Sequence, residues 1–190
     1  MVALVTKLHF LSGNPHKVAE AQAILAPLGF QIVPTQTSIA EIQTDDIRVL
    51  IKNKILQAFY HVGRPVFVEH TSLMIDRMNG FPGGLTQVFW DTLGADQVSS
   101  LFGQEESAGV SAKTHIGYCD GRKIWQFEGE VRGRISPKPK GDRSFQWDCV
   151  FIPDGASETF SEMGMNRKNE ISMRRLALDS FAEHLRSNMP

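Results

Sequence analysis

The chain has 190 residues, 42% of them hydrophobic, and a formal net charge of −1, which suits one well-buried core in a single domain, residues 1–190, with two lobes. Near-balanced charge excludes a general nucleic-acid binder, because no basic excess exists to neutralise a phosphate backbone. No segment approaches the roughly 20 apolar residues of a membrane span, and residues 1–10 lack the features of a signal peptide, so the expectation is a cytoplasmic protein with no membrane partner.

Residues 3–11 read as a first strand running into Ser12-Gly13-Asn14-Pro15. Val18, Ala21, Ala23, Ile24 and Leu25 follow at helical spacing, and this helix ends near Pro27 and Gly29. Residues 30–33 form a second strand. Residues 46–60 place Ile47, Leu50, Ile51, Ile55 and Phe59 on one stripe, with Lys52 and Lys54 off it, as an amphipathic helix does. Residues 65–68 are a buried strand that ends at Glu69-His70-Thr71-Ser72, before the loop Asn79-Gly80-Phe81-Pro82-Gly83-Gly84. Polar residues closing a strand before such a loop are where open α/β sheets hold ligands. Residues 91–102 read as a helix with Leu93, Val98 and Leu101 inward. Residues 110–119 and 123–135 look like long strands joined by the turn Asp120-Gly121. A turn-rich stretch, 136–144, precedes a strand at 146–152, and Ser172 caps a C-terminal helix that buries Met173, Ala177, Phe181 and Leu185. The order, βαβαβ first and mostly β later, predicts a mixed α/β (α+β) fold with a central elongated sheet.

Four groups of residues carry chemistry. In Ser12-Gly13-Asn14-Pro15-His16-Lys17 a strand-to-helix turn points free backbone N–H groups at one spot, where the helix dipole favours an anion. Lys17 adds a point charge; the plainer reading is a capped turn with a solvated lysine. Glu41, with Gln43, becomes a metal ligand only if the fold brings it against Glu69, since magnesium takes one or two carboxylates plus water and substrate phosphates. Glu69 itself, directly after an apolar strand, is either a ligand or the partner of a nearby lysine such as Lys54. His70 in isolation would be structural, but the crowding of polar groups around it favours function. In the last third, Phe145-Gln146-Trp147-Asp148 sets an aromatic beside an acid, which suits a purine. Lys168-Asn169 and Ser172-Met173-Arg174-Arg175 follow, and a helix start with Arg174 suits a phosphate or a base carbonyl. The plainer alternative is a core tryptophan, a surface aspartate and a positive helix start. Cys119 and Cys149 lack metal-like spacing and are expected as buried free thiols.

In this order the segments resemble the inosine triphosphate pyrophosphatase (ITPase) family over nearly the whole chain. The family pattern T/S-G-N-x-x-K is matched by Ser12, Gly13, Asn14 and Lys17, and E-x-Q with a lysine one helix later by Glu41, Gln43 and Lys54. The N-G-x-P-G loop is matched by Asn79, Gly80, Pro82 and Gly83. The F-G-Y/W-D segment appears as Phe145, Gln146, Trp147 and Asp148, and K-N with S-H-R as Lys168, Asn169, Ser172, Met173 and Arg174. The resemblance implies a long central mixed sheet dividing two α/β lobes, a site in the cleft between them, and a homodimer. It also implies Mg2+-dependent hydrolysis of deaminated purine nucleoside triphosphates (ITP, dITP, XTP) to monophosphate and pyrophosphate. On that reading Asn14, Lys17 and Lys54 hold phosphates, with Ser12, Thr71 and Ser72 among the substrate contacts. Glu41 and Glu69 anchor Mg2+. Phe145, Trp147 and Asp148 form the base pocket, Arg174 faces a purine oxygen, and Lys168 and Ser172 are further substrate contacts.

The chain departs from the pattern at defined places. The acidic pair of the family reads Glu69-His70, so His70 is expected to take the proton of the attacking water, in a catalytic set with Glu69 and Lys54. Activity should then fall below about pH 6.5. The glycine-rich turn is Ser144-Phe145-Gln146, Cys149 stands for a proline, and Met173 stands for a base-reading histidine. Methionine cannot donate a hydrogen bond, which implies a relaxed base preference. The alternative from another class is a catalytically impaired nucleotide-binding or regulatory protein that keeps the cleft.

Overall fold

The structure is a computed structural model that describes residues 6–104 and 109–188; residues 3–5 of the expected first strand lie outside them. β1 (Thr6–Leu11) leads through a turn into α1 (Pro15–Leu25), and β2 (Phe30–Thr35) returns parallel to β1. α2 (Ile47–Val62) starts where the Asp46 carboxylate accepts the N–H groups of Arg48 and Val49, and it stops at Gly63, whose φ of 65° ends the helix. β3 (Val66–Ile75) lies parallel to β1 and antiparallel to β4 (Gly109–Cys119). β5 (Ile124–Ile135) and β6 (Phe151–Pro153) complete one mixed sheet in the order β2-β1-β3-β4-β5-β6. The mixed α/β class read from the sequence is the class observed.

Four elements differ from the sequence reading. β3 does not end at Val68. It runs on through Glu69-His70-Thr71-Ser72, because its whole length pairs with β4, from Val66 opposite Cys119 to Ile75 opposite Val110. The expected strand at 146–152 is mostly a 3-10 turn, Gln146–Cys149, since φ of 44° at Gln146 takes the chain out of extended geometry. α3 (Thr86–Phe102) begins earlier than residue 91 and breaks at Gly94, with φ 68°. α4 (Phe160–Ile171) has no counterpart in the sequence reading. A capping box of Thr159 and Glu162 starts it, and its polar composition and the break at Gly164 hide its period. α5 (Met173–Asn188) buries Met173, Ala177, Phe181 and Leu185 as the spacing predicts, and both cysteines are buried free thiols.

Alternation along β3 decides where the site lies. Phe67, Glu69, Thr71, Leu73 and Ile75 share one face. Phe67 packs with Phe10, Leu25 and Phe181 in a first core, whereas Leu73 and Ile75 pack with Phe89, Phe151 and Phe160 in a second. Glu69 and Thr71 fall between, so a polar gap separates two apolar cores on one side of the sheet. The other side carries Val66 and Val68 under Ile51, Ile55 and Ala58 of α2. α5 spans the gap, with Met173 in the second core, Ala177 in the first and Arg174 between them.

α5 lies so close to β5 that a Cβ on Gly129 would overlap the Met173 carbonyl oxygen and the Ala177 nitrogen. Gly129→Ala is therefore expected to cost about 1–3 kcal/mol through overpacking, read as a lower urea midpoint at unchanged slope. An unshifted midpoint would show that α5 can draw away from the sheet without loss.

Candidate active site

β1 hands the chain to α1 through Ser12-Gly13-Asn14. The Asn14 side chain caps the helix, its Oδ1 accepting from the N–H of His16 at 2.9 Å and of Lys17 at 3.3 Å. Pro15, the first helical residue, has no N–H to give. The turn therefore presents fewer free backbone N–H groups than the sequence reading expects, because the cap consumes two of them. Side chains reach the cleft instead. Ser12, Asn14 and Lys17 line a cavity of about 550 Å³ together with Glu41, Lys54 and Glu69.

Glu69 is 3% exposed, and both its oxygens are engaged. Arg174 grips them as a fork, Nε to Oε2 and Nη2 to Oε1, each at 2.8 Å. Lys17 Nζ stands 3.2 Å from Oε1, and Thr71 Oγ1 donates to the same oxygen at 3.1 Å. Burial pushes the Glu69 carboxyl upward, but the Arg174 and Lys17 charges outweigh it and hold the group well below the usual carboxylate range. Burial also lowers the Lys17 pKa, against the pull of Glu69. Lys54, the partner expected for Glu69, is paired elsewhere.

The network continues through a residue that the sequence reading misses. Arg174 Nη1 pairs with Glu20 of α1, Glu20 also takes Lys168 Nζ at 2.9 Å, and Lys168 pairs in turn with Asp148. Buried charges thus tie α1, β3, α4 and α5 together. Burial raises the Glu20 pKa, yet Arg174 and Lys168 win and the net shift is downward. For Asp148 burial dominates and Lys168 only partly offsets it, so that carboxyl is raised. The signal for Glu20 was its place three residues after Lys17, on the same helical face; a single glutamate in a helix otherwise reads as solvated.

Glu41 is the more open carboxylate, its side chain 35% exposed, with Lys54 Nζ at 3.2 Å and His70 Nδ1 at 3.0 Å. The His70 hydrogen bond, helped by Lys54, holds its pKa down to about 2 against burial. Burial pulls the His70 pKa below 6.5, so the imidazole is neutral at neutral pH. Its hydrogen then sits on Nδ1 toward Glu41, and Nε2 keeps its lone pair, buried without a hydrogen-bond partner. His70 lines a second recess of about 170 Å³ with Lys17, Glu41, Lys54 and Thr71. On β4 the residue opposite is His115, which pairs with Glu128 at 3.1 Å.

The last third divides between site and core. Phe145 is half-buried, with Lys168 Nζ 4.4 Å above its ring and His16 at a centroid distance of 5.0 Å. It lines a recess of about 170 Å³ with Glu20, Asp148 and Lys168. Trp147 is 2% exposed and packs edge-on against Phe151 in the second core, so the plainer reading describes it better. Asp148, by contrast, is not the surface residue of that reading. Arg174 is completely enclosed, and Glu69, Glu20 and Thr71 occupy its guanidinium; it is not free to face a base. Ser72 and Ser172 are completely buried, and the Ser172 hydroxyl caps α5 by accepting from Arg175 N at 3.2 Å. Met173 and Asn169 are buried as well.

The motifs that build this cleft run in one chain order, and comparison with known families covers the same span. The model of the Ham1 family matches residues 8–184. The chain belongs to the Ham1 family. This is the ITPase group whose motifs the sequence carries. The dITP/XTP pyrophosphatase of Methanopyrus kandleri is 36% identical over 185 residues, spanning 96% of this chain and 98% of its own length. That of Thermococcus kodakarensis is 33% identical over 183 residues, spanning 96% and 99%. The fold superposes on a HAM1 protein from Coxiella burnetii with a TM-score of 0.74 at 22% identity, covering 96% of this chain and 99% of that one. The Staphylococcus aureus Ham1 protein gives 0.69 at 16% identity, with the same coverage.

In this Ham1 chain Glu20 is the hinge of the buried charges. Glu20→Gln leaves Arg174 and Lys168 each short of an anion and is expected to cost about 3–5 kcal/mol, the usual loss when one member of a buried pair is removed. Urea denaturation reads it directly. An unchanged midpoint would show that Glu69 and Asp148 satisfy the two cations by themselves.

Proposed function

We propose that the chain is a nucleoside triphosphate pyrophosphatase acting on deaminated purine nucleotides (ITP, dITP, XTP), releasing the monophosphate and pyrophosphate. The observation that carries this is the pairing of two spaces. Asn14, Lys17, Lys54 and Glu41 line the large cavity, and Phe145, Asp148 and Lys168 line the aromatic recess. One suits a polyphosphate and the other a base. Relatives called dITP/XTP pyrophosphatase along almost their full length support the same substrate class.

The charges in the cleft are matched in pairs, Lys17 and Arg174 with Glu69, Lys54 with Glu41, Lys168 with Glu20 and Asp148. An arriving polyphosphate therefore brings negative charge that nothing there yet neutralises. A divalent cation fits this need, and a hard oxygen donor lining the cavity fits the cation. No group of three or more His, Cys, Asp or Glu arranged to hold a metal ion occurs among the described residues, so water and phosphate oxygens would complete the shell. Glu41, paired with Lys54 and His70 but the more open of the two carboxylates, would hold the Mg2+; Glu69 is enclosed by Arg174 and Lys17. When bound, Mg2+ supplies neutralisation of phosphate charge and polarisation at phosphorus. Lys17 and Lys54 bind the phosphates and stabilise the charge that develops on them. Glu41 orients His70 through Nδ1, and Nε2 accepts the proton of the attacking water. Lys168, rather than Arg174, donates to a purine oxygen over the Phe145 face. Met173 offers no donor, so discrimination among purines is weak.

Pyrophosphate release from ITP, XTP, dITP, ATP and GTP tests the reading. We expect turnover that chelation abolishes and Mg2+ restores, with less selectivity for ITP over ATP than a donor at position 173 would give. Lys17→Ala should lower kcat/KM about 100-fold or more, and His70→Asp should retain or raise turnover. A dead His70→Asp beside an active His70→Ala would remove His70 from the mechanism. Nucleotide binding without release would assign the non-catalytic alternative.

A homodimer belongs to the same reading. Phe81, Leu85, Val88, Phe89 and Leu93 line a shallow apolar groove of about 260 Å³, and Val88 is half-exposed, which supports coverage by a second copy. Val88→Asp should shift sedimentation toward the monomer; an unaltered dimer would place the interface elsewhere.

A further inference from the structure

Gln146 is the residue that these roles leave unexplained. Only Gln146 and Asn79 are non-glycine residues with positive φ among those described. A bulky side chain kept where glycine sits more readily points to a use for that side chain. Its position narrows the use. Gln146 lines the large cavity with Asn14, Lys17 and Lys54, while its neighbour Phe145 lines the recess with Asp148 and Lys168. A nucleotide with its polyphosphate in the first and its base in the second must lay its sugar across the junction.

Hydrogen bonds fix which way the amide faces. Asp91 Oδ1 can only accept, and it takes Gln87 Nε2 at 2.8 Å. Gln87 must then offer Oε1 to Gln146, and Gln146 answers with Nε2 at 2.6 Å. The Gln146 Oε1 is left without a partner among the described residues. This acceptor repels phosphate oxygens, and a ligand that displaces water from the half-exposed Gln146 must return a donor to it. On the sugar and polyphosphate of a nucleotide, the hydroxyls of the sugar are the donors available.

We propose that Gln146 is a specificity-determining residue that accepts a hydrogen bond from the 2′- or 3′-hydroxyl of the substrate sugar, with Gln87 as a positioning residue. The proposal rests on the pyrophosphatase reading of the cleft. Wild type, Gln146→Gly, Gln146→Met and Gln87→Met are compared on ITP, dITP and 3′-deoxy-ITP. Dissociation constants are taken with metal chelated, and pyrophosphate release with Mg2+. Glycine suits a φ of 44°, so that variant folds, and methionine keeps the bulk without the acceptor. Wild type should bind ITP about tenfold more tightly than one of the two deoxy analogues, the scale of a single hydrogen bond. Both Gln146 variants should bring that ratio near one, and Gln87→Met should reduce it. A wild type that treats the three nucleotides alike, or variants that keep the ratio, would overturn the sugar contact. Discrimination in binding without any release would overturn the pyrophosphatase reading and leave the contact standing. Neither binding nor release would overturn both.

Discussion

Everything in the cleft depends on one fork, Arg174 closed on Glu69 in the middle of a buried strand. Charges withdrawn from water cost several kcal/mol each unless their partners are well placed, and here placement is shared among four elements. Glu69 comes from β3, Arg174 from α5, Glu20 and Lys17 from α1, and Lys168 from α4. Because the partners are anchored in four different elements, satisfying the charges also sets where those elements stand. Lys17 is held over the cavity by the same interaction that stabilises the core.

The polar gap and the two apolar cores are one fact seen from two sides. Had positions 69 and 71 been apolar, β3 would run under a continuous core and leave no cleft. The polar pair divides that core and opens a space that water and ligands can enter. The division also creates a competition. Lys17 and Lys54 face a ligand only by sharing themselves with Glu69 and Glu41, and a bound polyphosphate must contend with those carboxylates.

Much of this was legible in the sequence. Periodicity located α1, α2, α5 and the β4–β5 hairpin, and the motif residues Asn14, Lys17, Glu41, Lys54 and Glu69 do line one cavity. What stayed hidden was long-range. Glu69 looked like a strand end because both the β4 pairing that carries β3 past it and its partner Arg174, 105 residues away, are long-range. Glu20 gave no signal because its partner Lys168 is 148 residues away. Trp147 and Arg174 had the right chemistry for a ligand, but burial turned one into core and the other into a structural cation. The missing α4 was a local failure: its Thr159 and Glu162 cap was present in the sequence, but no apolar period followed it.

The sheet has two outer strands, and each contains a proline: Pro34 in β2 and Pro153 in β6. A proline has no N–H to offer a neighbouring ladder, and β6 is only three residues long. Both rims are therefore poor templates for a further strand. Copies of this chain cannot readily polymerise edge to edge, and any assembly must be made through helices and loops, where side chains rather than backbone choose the partner.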